Sequence, residues 1–340
     1  MGYAVRFSRY GGPEVLEIVE LDRPDPGNGE VVVDVVAAGL NPVETYIREG
    51  RFADTWPASF PIGQGSDFAG FISAIGPGVT GWRVKDPVLG HTVRGAQASY
   101  VTVPAGNIVR KPPRLTWEVA GSLFVAASIA WKAVRDVNPR PGQTVLVHAA
   151  AGGVGCIAAQ LCRLTGARVI GTASPASFDY LRGWGVIPVE YGPGVEERLR
   201  ALAPTGVDAE LEHVGDMSLA NVDSHDIRAL QAVAELVADR QIAVPIAAIY
   251  PLERVQDAYR ELEAGHAHGK IVLGMTPVEY SRQKVHAVDI RETDVTKDDP
   301  GRVPAPLAHE VLPPVFGHLP HHDRHRDGRA ETANPGATPP

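Results

Sequence analysis

The sequence predicts an α/β protein in which a β-rich part is followed by a doubly wound parallel sheet that lacks its last strands. Three observations carry this prediction. The first 115 residues break into short apolar runs separated by glycine and proline turns. From residue 116 onward, strand and helix patterns alternate. A glycine-rich turn joins a strand to a helix at residues 145–155, as in sheets that bind nucleotides.

The β-rich part is predicted to be an antiparallel, barrel-like domain. Residues 30–37 (EVVVDVVA) form a nearly continuous apolar run, as expected of a strand inside a core. Residues 69–75 and 98–103 are further strand candidates, and turn signals such as residues 76–78 (GPG) separate these pieces. Because many short antiparallel strands lose their free edges when they close on themselves, a barrel is the economical architecture.

The second part begins with a predicted helix that runs from Thr116, its capping residue, to near Arg135. Strands and helices then alternate as in a doubly wound sheet. The strands are predicted at 143–149, 168–172, 186–189 and 209–214, and the helices at 156–165, 178–184, 195–202 and 227–238.

The glycine turn after the first of these strands is a candidate phosphate site. Its backbone N–H groups and the positive end of the following helix dipole would face a bound pyrophosphate. Ala150 stands at the first glycine position of the usual G-x-G-x-x-G pattern, whereas Gly152 and Gly155 keep the second and third. A tight connection without a ligand can carry the same glycines, so the motif alone leaves both interpretations open. The proposed cofactor contacts here are Ala150, Ala151, Gly152, Gly153, Val154 and Gly155.

Composition and charge narrow the class of protein. With 340 residues, 44% hydrophobic and 21% charged, the chain suits one large or two ordinary globular domains. A formal net charge of −8 argues against broad binding to nucleic acid or to an anionic membrane. The sequence has neither a membrane-spanning run nor a leader pattern at Met1, so we expect a soluble, cytoplasmic protein. Cys156 and Cys162 are predicted to be buried and reduced.

Several segments, in the same order along the chain, resemble the zeta-crystallin or quinone oxidoreductase branch of the medium-chain dehydrogenase/reductase superfamily. The resemblance extends from Tyr3 to about Gly274. The segments that carry it are residues 11–16 (GGPEVL), 38–50 (AGLNPVETYIREG), 65–70 (GSDFAG), 147–155 (VHAAAGGVG), 251–259 (PLERVQDAY) and 269–273 (GKIVL).

The resemblance implies a GroES-like β-barrel catalytic domain beside a Rossmann domain, and hydride transfer from NADPH to a quinone or an enone. On this basis residues 1–121 are the first part of the catalytic domain and residues 122–222 are a truncated NADPH-binding domain. Residues 223–275 are a helix and the return to the catalytic domain. Residues 276–340, which are rich in Pro, Asp, Arg and His, are expected to be a disordered tail.

The residues argue against a zinc site. Zinc-dependent relatives carry a cysteine near positions 38–40, a His-Glu pair near position 64 and a lobe of four cysteines. This chain has AGL at 38–40, GQGSD at 63–67 and two cysteines in all. Because zinc needs soft sulfur and nitrogen ligands, we expect a zinc-independent reductase with no metal site.

The resemblance also implies site residues. Tyr46 would donate a hydrogen bond to the substrate carbonyl, and Asn41 would orient the substrate or the nicotinamide ribose. Ser128 matches a position where the family has Thr or Ser against the nicotinamide. Ordinary loop packing is the alternative for Tyr46 and Asn41, and as a bare sequence feature Ser128 is only a helix serine.

The second strand of the sheet bears on the choice of cofactor. NAD enzymes place Asp or Glu at its end, whereas this chain has TAS at 172–174, which favours NADPH because no carboxylate repels a 2′-phosphate. The family's lysine a few residues on is missing. Ser174, Arg182 and Tyr191 are the remaining candidates for contact with the cofactor, and simple surface exposure is the alternative for Arg182.

After Val214 the sequence has no fifth or sixth strand pattern. Compared with the family, roughly 45 residues are absent, enough for two strands and their connections. In relatives that segment supplies a loop at the nicotinamide and the strand through which subunits pair. We therefore expect an exposed fourth strand and either a monomer or a different dimer.

Three functional hypotheses follow. The first is an NADPH-dependent reductase of a quinone or enone. The second is an enoyl-thioester reductase. The third is a non-catalytic nucleotide-binding remnant, which the missing segment suggests.

Overall fold

The computed structural model describes residues 2–57, 59–212 and 226–275. The predicted tail at 276–340 and most of the segment that follows Val214 lie outside these residues. Across the described residues, none of the helices combines the length and the apolar character that crossing a membrane requires.

The β-rich part consists of two sheets, in which all pairings between strands before residue 116 are antiparallel. The strands that precede the parallel sheet are β1 (Gly2–Phe7), β2 (Glu17–Leu21), β3 (Glu30–Gly39), β4 (Ile62–Gly63), β5 (Asp67–Ile75), β6 (Pro87–His91), β7 (Tyr100–Pro104) and β8 (Ile108–Arg110). Helix α1 (Pro42–Arg48) lies between β3 and β4. Strands β2, β1 and β4 form the smaller sheet. The larger sheet is built around β3, which pairs with both β5 and β7.

Strand β3 confirms the core strand predicted at residues 30–37. Val31, Val32 and Val33 are all fully buried, because neighbouring strands and layers cover both faces. The register places Val31 opposite Ile75 on β5. This strand therefore anchors the barrel, and the segment that follows it carries α1 and its candidate site residues.

The parallel sheet consists of four strands in the order β11–β10–β9–β12. The elements are β9 (Thr144–Val147), α4 (Gly153–Leu164), β10 (Arg168–Ala173), α5 (Phe178–Gly183), β11 (Ile187–Glu190), α6 (Val195–Leu202) and β12 (Ala209–Leu211). All three pairings are parallel, as predicted. Among the described residues, β12 pairs with β9 alone. In this part of the chain the structure thus has the four strands that were predicted, and no fifth or sixth strand.

The predicted single helix from Thr116 to Arg135 is wrong, because the structure has two. Helix α2 (Trp117–Ala120) ends at Gly121, and α3 (Phe124–Val137) starts three residues later. A Cβ at Gly121 would lie 2.4 Å from the carbonyl oxygen of Ala37, and the Gly39 N–H donates to the Gly121 carbonyl at 2.7 Å. The chain leaves the helix here because its backbone packs directly on β3. The predicted cap is confirmed, since the Thr116 side chain accepts from the Val119 N–H.

The last described elements divide between the two parts. Helix α7 (Ile227–Ala238) buries Leu230 and Val233 in the same apolar cluster as Val145 of β9. Strand β13 (Ile246–Pro251), helix α8 (Val255–Ala264) and strand β14 (Lys270–Gly274) follow, and β14 pairs antiparallel with β3. The last described strand is therefore part of the same sheet as β3.

Candidate functional site

The glycine turn forms a tight cradle at the carboxyl end of β9. Ala149 has a φ of 46°, in the left-handed region, and Gly152 is the N-cap of α4. Helix α4 begins at Gly153, three residues before the predicted start at Cys156. The N–H groups of its first turn have no partner inside the helix and lie at the positive end of its dipole. The turn thus has the geometry of an anion-binding site.

Contacts around the turn explain why Gly155 must be glycine and why Ala150 is accepted. A Cβ at Gly155 would lie 2.2 Å from the Ala149 carbonyl oxygen, so no side chain fits there. Ala150 is fully buried, and a Cβ at Gly171 on β10 would come within 2.6 Å of the Ala150 methyl group. The glycine missing at position 150 is therefore matched by Gly171 opposite it. Gly171 was not singled out from the sequence, although a glycine inside a strand is a signal of close approach.

Thr172 holds the turn in place. Its hydroxyl accepts a hydrogen bond from the Ala149 N–H at 3.0 Å, and its carbonyl accepts from the Ala150 N–H at 2.9 Å. The side chain is buried. Sequence reasoning treated Thr172 only as part of the strand end that lacks a carboxylate. The structure gives its hydroxyl a definite role in shaping the turn.

Two candidate serines have hydroxyl groups without a hydrogen-bond partner. Ser128 Oγ on α3 and Ser174 Oγ after β10 are both shielded from solvent, and neither contacts a donor or acceptor in the part of the chain that is described. A buried polar group in this state costs about 1–3 kcal/mol relative to a satisfied one. A bound ligand that supplies the missing hydrogen bond removes that cost, so both residues fit a cofactor site.

Arg182 and Tyr191 lie at the surface. Arg182 Nη1 donates to Asp179 Oδ1 at 2.9 Å, and its guanidinium lies 5.4 Å from the centre of the Phe178 ring. The two charged side chains are 59% and 99% exposed. Tyr191 is 57% exposed. The positive charge of Arg182 is thus shared with a neighbouring carboxylate on the same short helix.

Asn41 and Tyr46 both belong to helix α1 and its cap but have different surroundings. Asn41 is the N-cap of α1, and Tyr46 follows one turn later, half-buried, with the Arg51 guanidinium 4.3 Å from its ring centre. Asn41 is only 2% exposed. Its Nδ2 donates to Asp67 Oδ2 at 3.1 Å and to Glu44 Oε1 at 3.3 Å. The side chain is therefore committed to protein partners.

Lys270 completes this contact set from β14. Its ammonium group donates to Asn41 Oδ1 at 2.5 Å and to the Leu40 carbonyl at 2.9 Å. It also lies 3.9 Å from Asp67 Oδ2, and both side chains are almost completely buried. Burial lowers the pKa of Lys270 and raises that of Asp67, and each charge partly opposes the shift of the other.

Glu44 links this group to a second layer of buried polar residues. Its carboxylate accepts from the Tyr259 hydroxyl at 2.7 Å, from the Ser66 N–H at 2.9 Å and from Gln97 Nε2 at 3.3 Å. Burial, and secondarily the charge of Asp67, raises the pKa of Glu44 to about 6. We call Asn41, Glu44, Asp67, Gln97, Tyr259 and Lys270 the buried polar network.

Most of this network escaped sequence reasoning, which identified Asn41 alone. The spacing of Asn41 and Glu44 does carry a signal, because a residue pair at the N-cap and N3 positions can form a capping box, and the structure contains one. Asp67, Tyr259 and Lys270 come from distant strands and a distant helix, and Gln97 comes from a loop. Across the residues that the structure describes, no group of three or more His, Cys, Asp or Glu side chains is arranged to hold a metal ion.

Parts of the chain match two protein families. Residues 27–113 match the alcohol dehydrogenase GroES-like domain family, and residues 164–273 match the zinc-binding dehydrogenase family. The quinone oxidoreductase of Salmonella typhimurium is 36% identical over 178 residues, which cover 52% of this chain and 54% of that protein. The chain thus spans about half the length of the curated relatives it matches.

Solved structures give a longer match. The quinone oxidoreductase from Coxiella burnetii is similar with a TM-score of 0.73 and 26% identity, covering 81% of this chain and 99% of the other. The Escherichia coli quinone oxidoreductase, solved as a complex with NADPH, is similar with a TM-score of 0.69 and 26% identity, covering 80% and 99%.

Proposed function

We propose that this chain, which belongs to the medium-chain dehydrogenase/reductase superfamily, is an NADPH-dependent reductase that transfers hydride to a quinone or related enone without zinc. The observation that carries the proposal is the glycine turn. Gly152 and Gly155 keep their positions, the buried methyl group of Ala150 is accommodated by Gly171, and the first N–H groups of α4 are left for an anion.

NADPH is favoured over NADH by the chemistry at the end of β10. No carboxylate stands at residues 172–174, and Ser174 Oγ is buried with no hydrogen-bond partner among the described residues. The similarity to the Escherichia coli enzyme solved with NADPH supports the same choice. The residues that would hold the cofactor are the turn at 150–155 together with Ser128 and Ser174, and Arg182 and Tyr191 are surface candidates near the adenosine end. NADPH would supply the hydride.

The donor set supports zinc independence. Close to the positions where zinc-dependent relatives carry ligands, this chain offers the buried oxygens of Asn41 and Asp67, which already face the Lys270 ammonium group. A second cation there would meet a fixed positive charge in a buried site. Negative charge that develops on the substrate oxygen must then be met by hydrogen-bond donors.

Tyr46 is the proposed donor to the substrate oxygen. It lies on α1, whose first turn is held by the buried polar network through Asn41 and Glu44. We propose that Asn41 acts by fixing this helix start, because its amide hydrogens are already engaged by carboxylates. An arrangement that is rigid before substrate binds loses little free energy in reorganising during the reaction.

Two alternatives remain distinct hypotheses. An enoyl-thioester reductase would use the same cofactor cradle with a different substrate. A non-catalytic nucleotide-binding remnant is favoured by the free edge of the parallel sheet, which we call the cofactor sheet. Among the described residues, β12 pairs on one side only, so this sheet has four strands.

A titration followed by turnover separates these possibilities. We expect the purified chain to bind NADPH more tightly than NADH and to oxidise NADPH with a small quinone faster than with an enoyl-CoA ester. Preference for the thioester would support the second hypothesis. Tight NADPH binding without turnover of either substrate would support the third.

A Tyr46→Phe variant tests the proposed donor. Loss of one hydrogen bond to a developing oxyanion typically lowers kcat by about 10²–10³-fold. Tyr3→Phe is the matched control, because Tyr3 is an exposed tyrosine of the barrel. Unchanged turnover in Tyr46→Phe would remove this residue from the mechanism.

A further inference from the structure

His268 contacts the end of the second strand of the cofactor sheet from a distant part of the chain. Its Nδ1 lies 2.7 Å from the hydroxyl of Ser177, although the two residues are 91 positions apart. Ser177 is buried in the short turn that follows β10, whereas His268 is exposed. The imidazole therefore lies beside the strand end that lacks a carboxylate, with one of its two nitrogens already engaged.

The segment that carries His268 is held firmly along the carboxyl edge of the sheet. The Lys270 N–H donates to the Pro245 carbonyl at 2.8 Å. A Cβ at Gly153, the first residue of α4, would lie 2.9 Å from Lys270 Cδ. Lys270 thus touches the glycine turn and His268 touches the turn after β10. In a doubly wound sheet these two places face the pyrophosphate and the adenosine ribose of a dinucleotide.

We propose that His268 is a specificity-determining residue that binds the 2′-phosphate of NADPH together with Ser174, while Ser177 holds the imidazole in place. This inference rests on the proposed function and deepens it by naming a phosphate contact outside the cofactor sheet. It assigns a role to a residue that no motif indicates, since His268 reaches the site only through the return of the chain to the barrel.

The hydrogen-bonding chemistry supports the assignment. When the Ser177 hydroxyl donates to Nδ1, the remaining proton of a neutral imidazole is on Nε2, which becomes a donor for a phosphate oxygen. Ser174 Oγ is buried and has no hydrogen-bond partner in the described parts of the chain, so it is a second available group. Phosphate oxygens accept several such bonds at once.

The charge of Arg182 is poorly placed to do this alone. Its guanidinium is paired with Asp179, and that carboxylate would repel a phosphate approaching the same helix. An imidazole on a separate segment avoids this neighbour. His268 can therefore supply a phosphate donor in place of the family's lysine, which is missing near Ser177 and Phe178.

The test compares nucleotides that differ only in the 2′-phosphate. Binding of NADPH, NADH, 2′,5′-ADP and 5′-AMP to the full chain is measured by tryptophan fluorescence for wild type, His268→Ala and His268→Gln. His266→Ala is the matched control, because His266 is an exposed histidine of the same segment.

We expect His268→Ala to lower the affinity for NADPH and for 2′,5′-ADP by about tenfold to a hundredfold, as for loss of one hydrogen bond to a charged group. NADH and 5′-AMP should bind as in wild type, and His268→Gln, which keeps a donor, should recover part of the affinity. Thermal unfolding confirms that the variants are folded.

Equal weakening of NADPH and NADH would overturn the inference, because it would indicate a pyrophosphate contact. Unchanged NADPH affinity in His268→Ala would also overturn it while leaving the proposed cofactor intact. Wild-type protein that binds none of the four nucleotides would refute the proposed function itself, and the inference with it.

Discussion

Replacing Lys270 by Met should destabilise the fold more than any surface substitution of a lysine. The ammonium group makes two hydrogen bonds, to Asn41 Oδ1 and the Leu40 carbonyl, and faces Asp67 at 3.9 Å in a site from which water is excluded. Without it, the Asp67 carboxylate keeps only the Asn41 Nδ2 and Val125 N–H donors. Removing one partner of a buried pair leaves an uncompensated charge and typically costs about 3–5 kcal/mol.

The size of the loss should depend on pH. Burial raises the pKa of Asp67 and Lys270 partly opposes this, so removal of Lys270 lets that pKa rise further. A carboxyl group with a raised folded-state pKa gives stability that is present at low pH and is lost as pH rises through that pKa. The penalty of Lys270→Met should therefore be largest near neutral pH and should shrink as Asp67 becomes protonated.

Urea unfolding followed by fluorescence and circular dichroism at neutral and mildly acidic pH measures this penalty. The double variant Lys270→Met with Asp67→Asn removes the unpaired charge and should regain part of the lost stability. Lys132→Met is the control, because Lys132 pairs with Asp136 at the surface and such pairs contribute about 0.2–1 kcal/mol. The reasoning is refuted if Lys270→Met costs no more than Lys132→Met, or if the double variant is less stable than the single one.

Three further predictions concern the turn and the network. Gly155→Ala places a methyl group 2.2 Å from the Ala149 carbonyl oxygen, so it should lower the unfolding free energy by about 1–3 kcal/mol and abolish NADPH binding. Gly183→Ala is the control, because open space surrounds Gly183, and it should leave stability and NADPH binding unchanged or slightly improved. Calorimetry measures the stability and titration measures the binding. Thr172→Val leaves the Ala149 N–H without its acceptor and should cost about 1–3 kcal/mol in urea unfolding, and a neutral result would mean that the hydroxyl does not hold the turn. Folding raises the pKa of Glu44 from 4.5 to about 6, so its contribution to stability is present below pH 4.5 and is lost, by about 2 kcal/mol, as pH rises through about 6. Glu44→Gln should therefore make the unfolding free energy less dependent on pH across that interval. A pH profile unchanged from wild type would contradict the assignment.

The succession of elements was readable from the sequence because it depends on local pattern. The apolar run at residues 30–37, the alternation of strands and helices after residue 116 and the glycine turn at 150–155 each reflect the surroundings of a few adjacent residues. The helix error has the same origin. A helical apolar period continues across Gly121, and only the packing of that glycine on Ala37 ends the helix there.

The partners of the site residues could not be obtained in this way. Asn41 was expected at the substrate or the ribose, but the structure surrounds it with Glu44, Asp67 and Lys270, residues from α1, β5 and β14. Which side chains meet there is set by the antiparallel register of β14 and β5 against β3. A shift of one residue in either strand would turn Asp67 or Lys270 to the opposite face.

By itself, the sequence determined the succession of strands and helices, the family resemblance and the position of the glycine turn, because glycine spacing and apolar periodicity are local physical constraints. Only the tertiary structure decided that Gly171 makes room for Ala150, that Lys270 is buried between Asn41 and Asp67, and that His268 meets Ser177. These contacts join segments that are 21 to more than 200 residues apart, with separations such as 91 and 229 positions, so they exist only once the sheets have paired in register.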